Sequence, residues 1–240
     1  KPGYAEALVD LAVVHAAAQE YEAALSLLQQ SLQHNPDHGM THFNLGLILA
    51  KQGHYEEGLQ HFQSALAMEP ENPEIHYNMG LVLLQLERYQ DAVNAFEKTL
   101  ELRPGYREVY SNLGLCLARL GKQETADAAF AKAFQVLPDA VDTFYNYGCA
   151  LKAAGDLAGA RENLMLALQR DPENGKAHFE LGLIDLQENN LEAASVHFAK
   201  AGEKLPGDPE PRYNLGRVKE LQGKEEEALQ YYRSVLGTNP

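Results

Sequence analysis

The sequence predicts an all-α solenoid, in which short antiparallel helix pairs stack one on another along the chain. Three repeating columns of residues indicate this fold. Proline recurs every 34 residues, at Pro2, Pro36, Pro70, Pro104, Pro138, Pro172, Pro206 and Pro240. Glycine recurs at the same interval, at Gly46, Gly80, Gly114, Gly148, Gly182 and Gly216. Alanine does so at Ala24, Ala92, Ala126, Ala160, Ala194 and Ala228, and only Gly58 departs from the column. A fixed period of this size is typical of stacked repeats.

Each unit of 34 residues predicts two helices. In the second unit, the apolar residues that follow Gly39 predict a first helix of about a dozen residues, which ends at Gly53. The equivalent stops are Gly121, Gly155, Asn189 and Gly223. The second helix is predicted to begin near Glu56, to bury Gly58, Phe62 and Ala65, and to end before Pro70. Small residues in the glycine and alanine columns indicate that the two helices cross closely there.

No linker interrupts the period, so the sequence predicts a single domain over residues 1–240. Its units are residues 5–38, 39–72, 73–106, 107–140, 141–174, 175–208 and 209–240. The outer units depart most from the pattern: His15, Asp185 and Lys219 stand in a column that is otherwise apolar. We therefore expect fraying at both ends. Since the chain begins and ends on a closing proline, we also expect it to be a piece of a longer protein.

The formal net charge of -14 argues against binding to nucleic acid or to an anionic membrane surface, because both require clustered Lys and Arg. The first unit carries five acidic residues and no Lys or Arg. Cys116 and Cys149 are out of register between neighbouring units, which predicts two free thiols. No apolar segment is long enough to cross a membrane, and the start of the chain is no signal peptide. These features favour the cytoplasm but leave the compartment unknown.

The combined template is a large residue, Leu-Gly, a second large residue, then Ala-x3-aromatic and Pro. It resembles the tetratricopeptide repeat, and the resemblance covers essentially the whole chain in seven units. One column departs from the family, because its usual Trp is replaced by Leu8, His42, His76, Tyr110, Phe144, His178 and Arg212. The resemblance implies a right-handed superhelix whose concave groove is lined by the first helices.

On that basis, the predicted peptide-binding groove contains aromatic, amide and leucine side chains of the first helices. These are Phe43, Asn44, Leu47, Tyr77, Asn78, Leu81, Leu84, Asn112, Leu115, Tyr145, Asn146, Phe179, Leu183, Tyr213 and Asn214. The asparagines form a ladder, and an amide can both donate to and accept from the backbone of an extended peptide. The ladder is similar to that of O-linked N-acetylglucosamine transferases, where it holds substrate polypeptide. The alternative is that the amides tie neighbouring helices together.

The leucine column makes the groove apolar. Family members that bind acidic C-terminal tails carry a Lys as the fifth residue of a repeat and an Asn as the ninth. No unit of this chain has either residue at that position. We expect the groove to receive an amphipathic helix or an apolar extended segment. The alternative is that tight curvature lets the leucines pack on each other. Near the C-terminal end, Asp185 and Lys219 share a column in adjacent units and are predicted to pair.

No catalytic motif, phosphate-binding loop or metal-ligand spacing occurs, so we predict no catalytic residue, no metal and no cofactor. The sequence therefore predicts a non-enzymatic protein-interaction scaffold that binds a protein or peptide. It predicts no nucleic-acid partner and no membrane insertion. Two alternatives remain: the substrate-recruiting arm of a larger enzyme, such as a glycosyltransferase, and a self-assembly module that forms homo-oligomers.

Overall fold

The computed structural model describes residues 2–237. All the regular structure in these residues is α-helical, and the helices follow one another as the first and second helices of the predicted units. They are α1 Pro2–Ala17, α2 Tyr21–His34, α3 Gly39–Lys51, α4 Tyr55–Met68, α5 Pro73–Gln85, α6 Tyr89–Leu102, α7 Val109–Arg119, α8 Gln123–Val136, α9 Val141–Ala153, α10 Leu157–Arg170, α11 Gly175–Gln187, α12 Leu191–Lys204, α13 Glu210–Leu221 and α14 Glu225–Gly237. The all-α repeat fold is confirmed.

The turn between the two helices of a unit contains a residue with positive φ. The predicted stops Gly53, Gly121, Gly155, Asn189 and Gly223 all have this conformation, with φ between 60 and 86°. Gln19 and Glu87 occupy the equivalent place, with φ of 63 and 57°. These two turns could not be predicted from residue type, because neither Gln nor Glu favours the left-handed region. The rest of the turn imposes the conformation on them.

The glycine column lies where the two helices of a unit cross. A Cβ atom added to Gly80 would come within 2.6 Å of the Phe96 ring, and one added to Gly46 within 2.7 Å of the Phe62 ring. The alanine column is equally enclosed, since Ala92 has no exposed surface. Any larger side chain at either column would push the helices apart, as the sequence predicted.

The chain divides into two compact units, residues 1–120 and 121–240. In the first, a core cluster joins α1, α2 and α3 through Val9, Ala12, Ala24, Leu28, Leu45 and Ile48. In the second, a cluster joins α9, α10 and α11 through Phe144, Ala160, Leu164, Ala167, Ala177, Leu181 and Ile184. Each cluster spans more than one helix pair, as expected where repeats are stabilised by their neighbours. The single domain over residues 1–240 stays a prediction.

The helices nearest the chain ends pack less completely than the others. Val14 of α1 is 63% exposed, although its column is buried in the other units. In α14, Ala228 is the residue that is buried. This loose packing agrees with the expectation of fraying, which stays a prediction. Among residues 2–237, no helix combines the length and apolar character needed to cross a bilayer.

Candidate functional site

The first helices of the unit formed by residues 1–120 lie side by side, because α1 contacts α3, α3 contacts α5, and α5 contacts α7. They carry a set of half-buried side chains in the predicted groove columns, which we call the first-unit face. Its members are Phe43, Asn44, Leu47, Tyr77, Asn78, Leu81, Leu84 and Asn112. A half-buried side chain is held in place by its neighbours while part of its surface still faces solvent. This face can therefore be covered by another molecule.

Leu115 was predicted to line the same surface, but only 9% of its surface is exposed. Its helix, α7, buries every residue from Leu113 to Leu117. Leu115 therefore belongs to the packing of α7, and we leave it out of the first-unit face.

The aromatic side chains of the face rest on the aromatic column of the second helices. The ring centroids of Phe43 and Phe62 lie 5.9 Å apart, and those of Tyr77 and Phe96 lie 6.0 Å apart. The Tyr77 ring also lies 4.9 Å from that of Tyr106. These distances are within the range of favourable aromatic pairs. The rings therefore form a fixed floor rather than mobile surface groups.

The amides of the ladder are oriented by their own helices. Asn44 donates from Nδ2 to the carbonyl oxygen of Met40, and Asn78 donates to that of Glu74, both at 2.8 Å. Asn112 donates to the carbonyl oxygen of Glu108 at 3.3 Å and to the Tyr77 hydroxyl at 3.5 Å. The last bond joins α7 to α5, as the alternative interpretation of the ladder expected. For Asn44 and Asn78, the bond holds the amide against its own helix.

In the unit formed by residues 121–240, the groove columns are more varied. Tyr145, Phe179 and Leu183 are half-buried, while Tyr213 is 46% exposed. Asn146 is buried, with 7% of its surface exposed.

Asn214 of the same unit is also buried, with 4% of its surface exposed. It donates to the Glu210 carbonyl and accepts from Arg217 at 3.2 Å. Lys152 of α9 forms an ion pair with Glu180 of α11. We leave Asn146 and Asn214 out of any proposed ligand contact, because their surfaces are covered.

The predicted pairing of Asp185 with Lys219 is wrong. Asp185 is 1% exposed and meets Arg161 of α10 at 2.7 Å, while Lys219 pairs with Glu227 of α14 at 3.0 Å. Asp185 and Lys219 each pair with a residue of a second helix that packs against their own helix. That second helix is nearer than the same position of the next 34-residue repeat.

The fourth residue of each 34-residue repeat stands where the family usually has Trp. In several repeats its side chain contacts the loop that precedes its helix. His42, His76 and His178 approach from Nε2 the carbonyl oxygen of the proline six residues earlier, at distances of 3.0, 2.9 and 3.2 Å. Tyr110 and Arg212 donate to the equivalent carbonyls of Pro104 and Pro206. Their bond to the proline carbonyl was missed, although the shared spacing of six residues is visible in the sequence.

Two of these histidines form a pair with a second histidine. Nδ1 of His42 lies 3.0 Å from Nδ1 of His61, and Nδ1 of His178 lies 3.0 Å from Nδ1 of His197. Burial lowers the pKa of His61, and the neighbouring His42 lowers it further. Burial also lowers the pKa of His197, with Asp185 opposing the effect and His178 and Arg161 adding to it. The two pairs occupy equivalent positions of two units, and sequence reasoning did not find them.

Neither cysteine is part of a disulfide, as predicted, and both are buried. Burial raises the pKa of Cys116 to about 12, so this thiol stays protonated at neutral pH and is a poor nucleophile. Cys149 shares its column with Leu47 and Leu81 but is only 4% exposed. Among residues 2–237, no three side chains of the metal-binding types come together to hold an ion.

Three family profiles match the sequence. The C-terminal ARM domain of tetratricopeptide repeat protein 21 matches residues 3–114, a tetratricopeptide repeat matches residues 108–139, and the tetratricopeptide repeat of protein kinase G matches residues 148–240. No curated protein matches the chain.

Several solved structures are similar. YrrB, described as a TPR protein with an unusual peptide-binding site, is 26% identical, with 71% of this chain and 88% of that chain covered and a TM-score of 0.58. A tetratricopeptide repeat protein from Parabacteroides merdae is 18% identical, with 99% and 94% covered and a TM-score of 0.77. Human IFIT1, described as a dimer with m7Gppp-AAAA, is 20% identical, with 94% and 57% covered and a TM-score of 0.74. At these identities, the last two establish the fold alone.

Proposed function

Since this chain is a tetratricopeptide-repeat protein, we propose that it is a non-enzymatic scaffold that binds a segment of another polypeptide on the first-unit face. The observation that carries this proposal is the row of half-buried leucines beside oriented amides. Leu47 and Leu81 are neither sealed in the core nor fully in solvent. Asn44 and Asn78 lie one turn away on the same helices, with their side chains already fixed.

The face also has exposed apolar groups at its margins. Val13 is 46% exposed and Met40 is 44% exposed, and both lie in groove columns of α1 and α3. Covering a fully exposed leucine contributes about 1.5–3 kcal/mol, and covering a half-buried one contributes a fraction of that. Several such contacts together suffice for a moderately tight peptide complex. The peptide-binding site described for YrrB supports the same use of this kind of repeat.

The test is to select peptides from a displayed random library against the whole chain and to measure their Kd values by fluorescence anisotropy. The variant Leu47→Glu/Leu81→Glu places two charges on the face and should weaken the selected peptides by about tenfold or more, because each carboxylate must lose water on binding. Leu115 is unsuitable for this test, since a charge at that buried position would destabilise α7.

The matched control is Met68→Glu. Met68 is 45% exposed on α4, a second helix, so the change is also from an apolar side chain to an acid on the surface. Circular dichroism verifies that both proteins keep their helical content. If the selected peptides bind the double variant as tightly as the parent, the face is not the binding surface.

Net charge continues to argue against nucleic acid as the ligand. Human IFIT1, whose fold is similar, is described with a capped RNA. This chain instead has a formal net charge of -14, which repels phosphates unless Lys and Arg are concentrated at one place. The first-unit face itself contains no Lys or Arg. A polypeptide ligand fits these residues better.

A further inference from the structure

The first-unit face is bordered on one side by acidic residues. These residues each stand second in their 34-residue repeat, and all are exposed: Glu6 in α1, Glu74 in α5, and Glu108 just before α7. We call them the acidic edge. Glu74 meets Arg103, the residue that follows α6, at 3.5 Å in an exposed ion pair. Such an exposed pair is weak, so a cation of the ligand can compete with Arg103 for the carboxylate.

The acidic edge and the face lie on the same side of each helix. Residues four and seven positions apart share one face of an α-helix, so Glu74, Asn78 and Leu81 follow one another along α5. Lys51 and Arg119 are the last residues of α3 and α7, at the opposite end of the helices from the acidic edge, and both are exposed. A ligand that crosses the first helices therefore passes carboxylates on one side and cations on the other, with amides and leucines between them.

The amides favour an extended ligand over a helical one. Asn44 and Asn78 each use Nδ2 to bind a carbonyl of their own helix, so Oδ1 is the amide atom through which a ligand would be bound, and Oδ1 can only accept. The backbone N–H groups of a ligand helix are bonded within that helix except in its first turn. An extended segment offers backbone N–H groups along its whole length.

The spacing of the helices sets the period of that segment. Packed helices lie about 8–10 Å apart, and an extended or polyproline-type chain advances about 3.1–3.4 Å per residue. One 34-residue repeat therefore corresponds to about three residues of ligand. A polyproline-type segment has three residues per turn, so its side chains at every third position lie on one side, and apolar ones there can each lie beside a successive leucine of the face.

These observations rest on the proposed function and define its ligand more closely. We propose that the first-unit face recognises an extended polypeptide segment with an apolar side chain at every third position and Lys or Arg between them. Its apolar side chains lie on Leu47 and Leu81, and its backbone N–H groups donate to Asn44 and Asn78. Its cations lie along the acidic edge.

The probes are four synthetic peptides with a fluorescent label, titrated against the whole chain in low and high salt. One repeats Leu-Lys-Gly, one repeats Leu-Glu-Gly, one repeats Leu-Ser-Gly, and one has the composition of the first in an order that breaks the three-residue spacing. The first peptide should bind about tenfold tighter than the second and the fourth, and salt should weaken it most. The shuffled peptide is essential, because an acidic protein attracts any basic peptide weakly.

Two double variants separate the acidic edge from general negative charge. Glu74→Gln/Glu108→Gln should weaken the Leu-Lys-Gly peptide several-fold and reduce its salt dependence. Glu56→Gln/Glu97→Gln makes the same change of charge at exposed positions of α4 and α6 and should leave that peptide nearly unaffected. Urea unfolding of each variant measures any loss of the favourable interaction between these acids and helix N-termini, which is a matter of stability rather than binding.

Each outcome decides between the ligand chemistry and the proposed function. If the shuffled or acidic peptide binds as tightly as the first, or if both double variants weaken binding equally, the proposed ligand is wrong. The scaffold proposal survives that result when Leu47→Glu/Leu81→Glu still abolishes binding of library-selected peptides. If that variant has no effect on any peptide, the proposed function fails as well.

Discussion

The histidine pairs have a defined proton arrangement. His42 and His178 must donate from Nε2 to the proline carbonyls, because a carbonyl oxygen can only accept. In the neutral form their Nδ1 atoms are therefore acceptors, and His61 and His197 donate to them from Nδ1. One added proton can be accommodated by either pair. A second would place two N–H groups against each other at 3.0 Å.

This arrangement predicts that the protein loses stability as pH falls below about 6.5, the ordinary pKa of histidine. The folded-state pKa values of His61 and His197 are lowered, so below that pH the unfolded chain binds more protons than the folded one. The stability is fully present above pH 6.5 and is lost progressively down to the lowered values. The loss is well below about 1.4 kcal/mol per pH unit for each site, because solvent screens these half-buried rings.

Urea unfolding at a series of pH values measures this loss. His61→Ala should reduce it, because the variant copies the neighbouring repeat, where Ala95 stands at the position equivalent to His61. Glu57 lies near His61, and Asp185 and Arg161 lie near His197, so the pair at His42 is the simpler one to test. His76→Ala is the control and should change the pH dependence little. An equal reduction in both variants would mean that the histidine pairs are not its source.

Residues that face their own helix pair were the easiest to predict from the sequence. Gly58, Phe62 and Ala65 are buried as expected, since each repeats a contact that every unit makes. His61 and His197 were missed because their column contains Leu27, Ala95, Ala129, Asn163 and Tyr231 elsewhere, with no shared chemistry. A column that varies in type carries no periodic signal, so contacts made in only two units require coordinates.

At the scale of the helices, the turn that ends each first helix was only partly predictable. Glycine or asparagine marks five of these turns and predicts the left-handed residue there. Gln19 and Glu87 adopt the same backbone against their own preference, which costs roughly 1–2 kcal/mol for an ordinary L-residue. Packing of the helix pair supplies that free energy.

Glu87→Gly should therefore stabilise the protein, by up to about 1 kcal/mol, because glycine adopts positive φ without steric cost but loses more backbone entropy on folding. The free energy of unfolding in urea measures the effect. Glu97→Gly is a matched control at an exposed position inside α6, where glycine should destabilise by about 1 kcal/mol. If both variants lose stability, Glu87 makes a contact worth more than its strained backbone.

At the scale of the whole molecule, the periodic pattern predicted which helices exist more reliably than it predicted which groove residues are accessible. The same column is half-buried at Leu81 and buried at Leu115 and Cys149. Asn78 is half-buried, while Asn214 is covered and bound to Arg217. Repetition in sequence predicts equivalent backbone positions. Exposure depends on side chains of other helices that do not repeat, so it cannot be read from a column.

The net charge of the molecule is the remaining property that belongs to no single repeat. A formal charge of -14 implies mutual repulsion among acidic side chains, and the first repeat contributes five of them without a cation. Surface ion pairs such as Arg88 with Asp91 oppose this repulsion, but exposed pairs contribute little. Repulsion should therefore dominate the response of the folded state to salt.

We expect the free energy of unfolding in urea to rise when NaCl is increased from about 10 mM to about 1 M, because salt shortens the Debye length from about 30 to 3 Å. The variant Asp10→Asn/Asp37→Asn removes two exposed charges from the first repeat. It should be more stable than the parent at low salt by no more than about 0.5 kcal/mol, and the difference should vanish at high salt. The control Gln29→Asn/Gln33→Asn alters exposed residues of α2 without changing charge and should keep the parent's salt response. A fall in stability with added salt would show instead that attractive pairs outweigh repulsion in this fold.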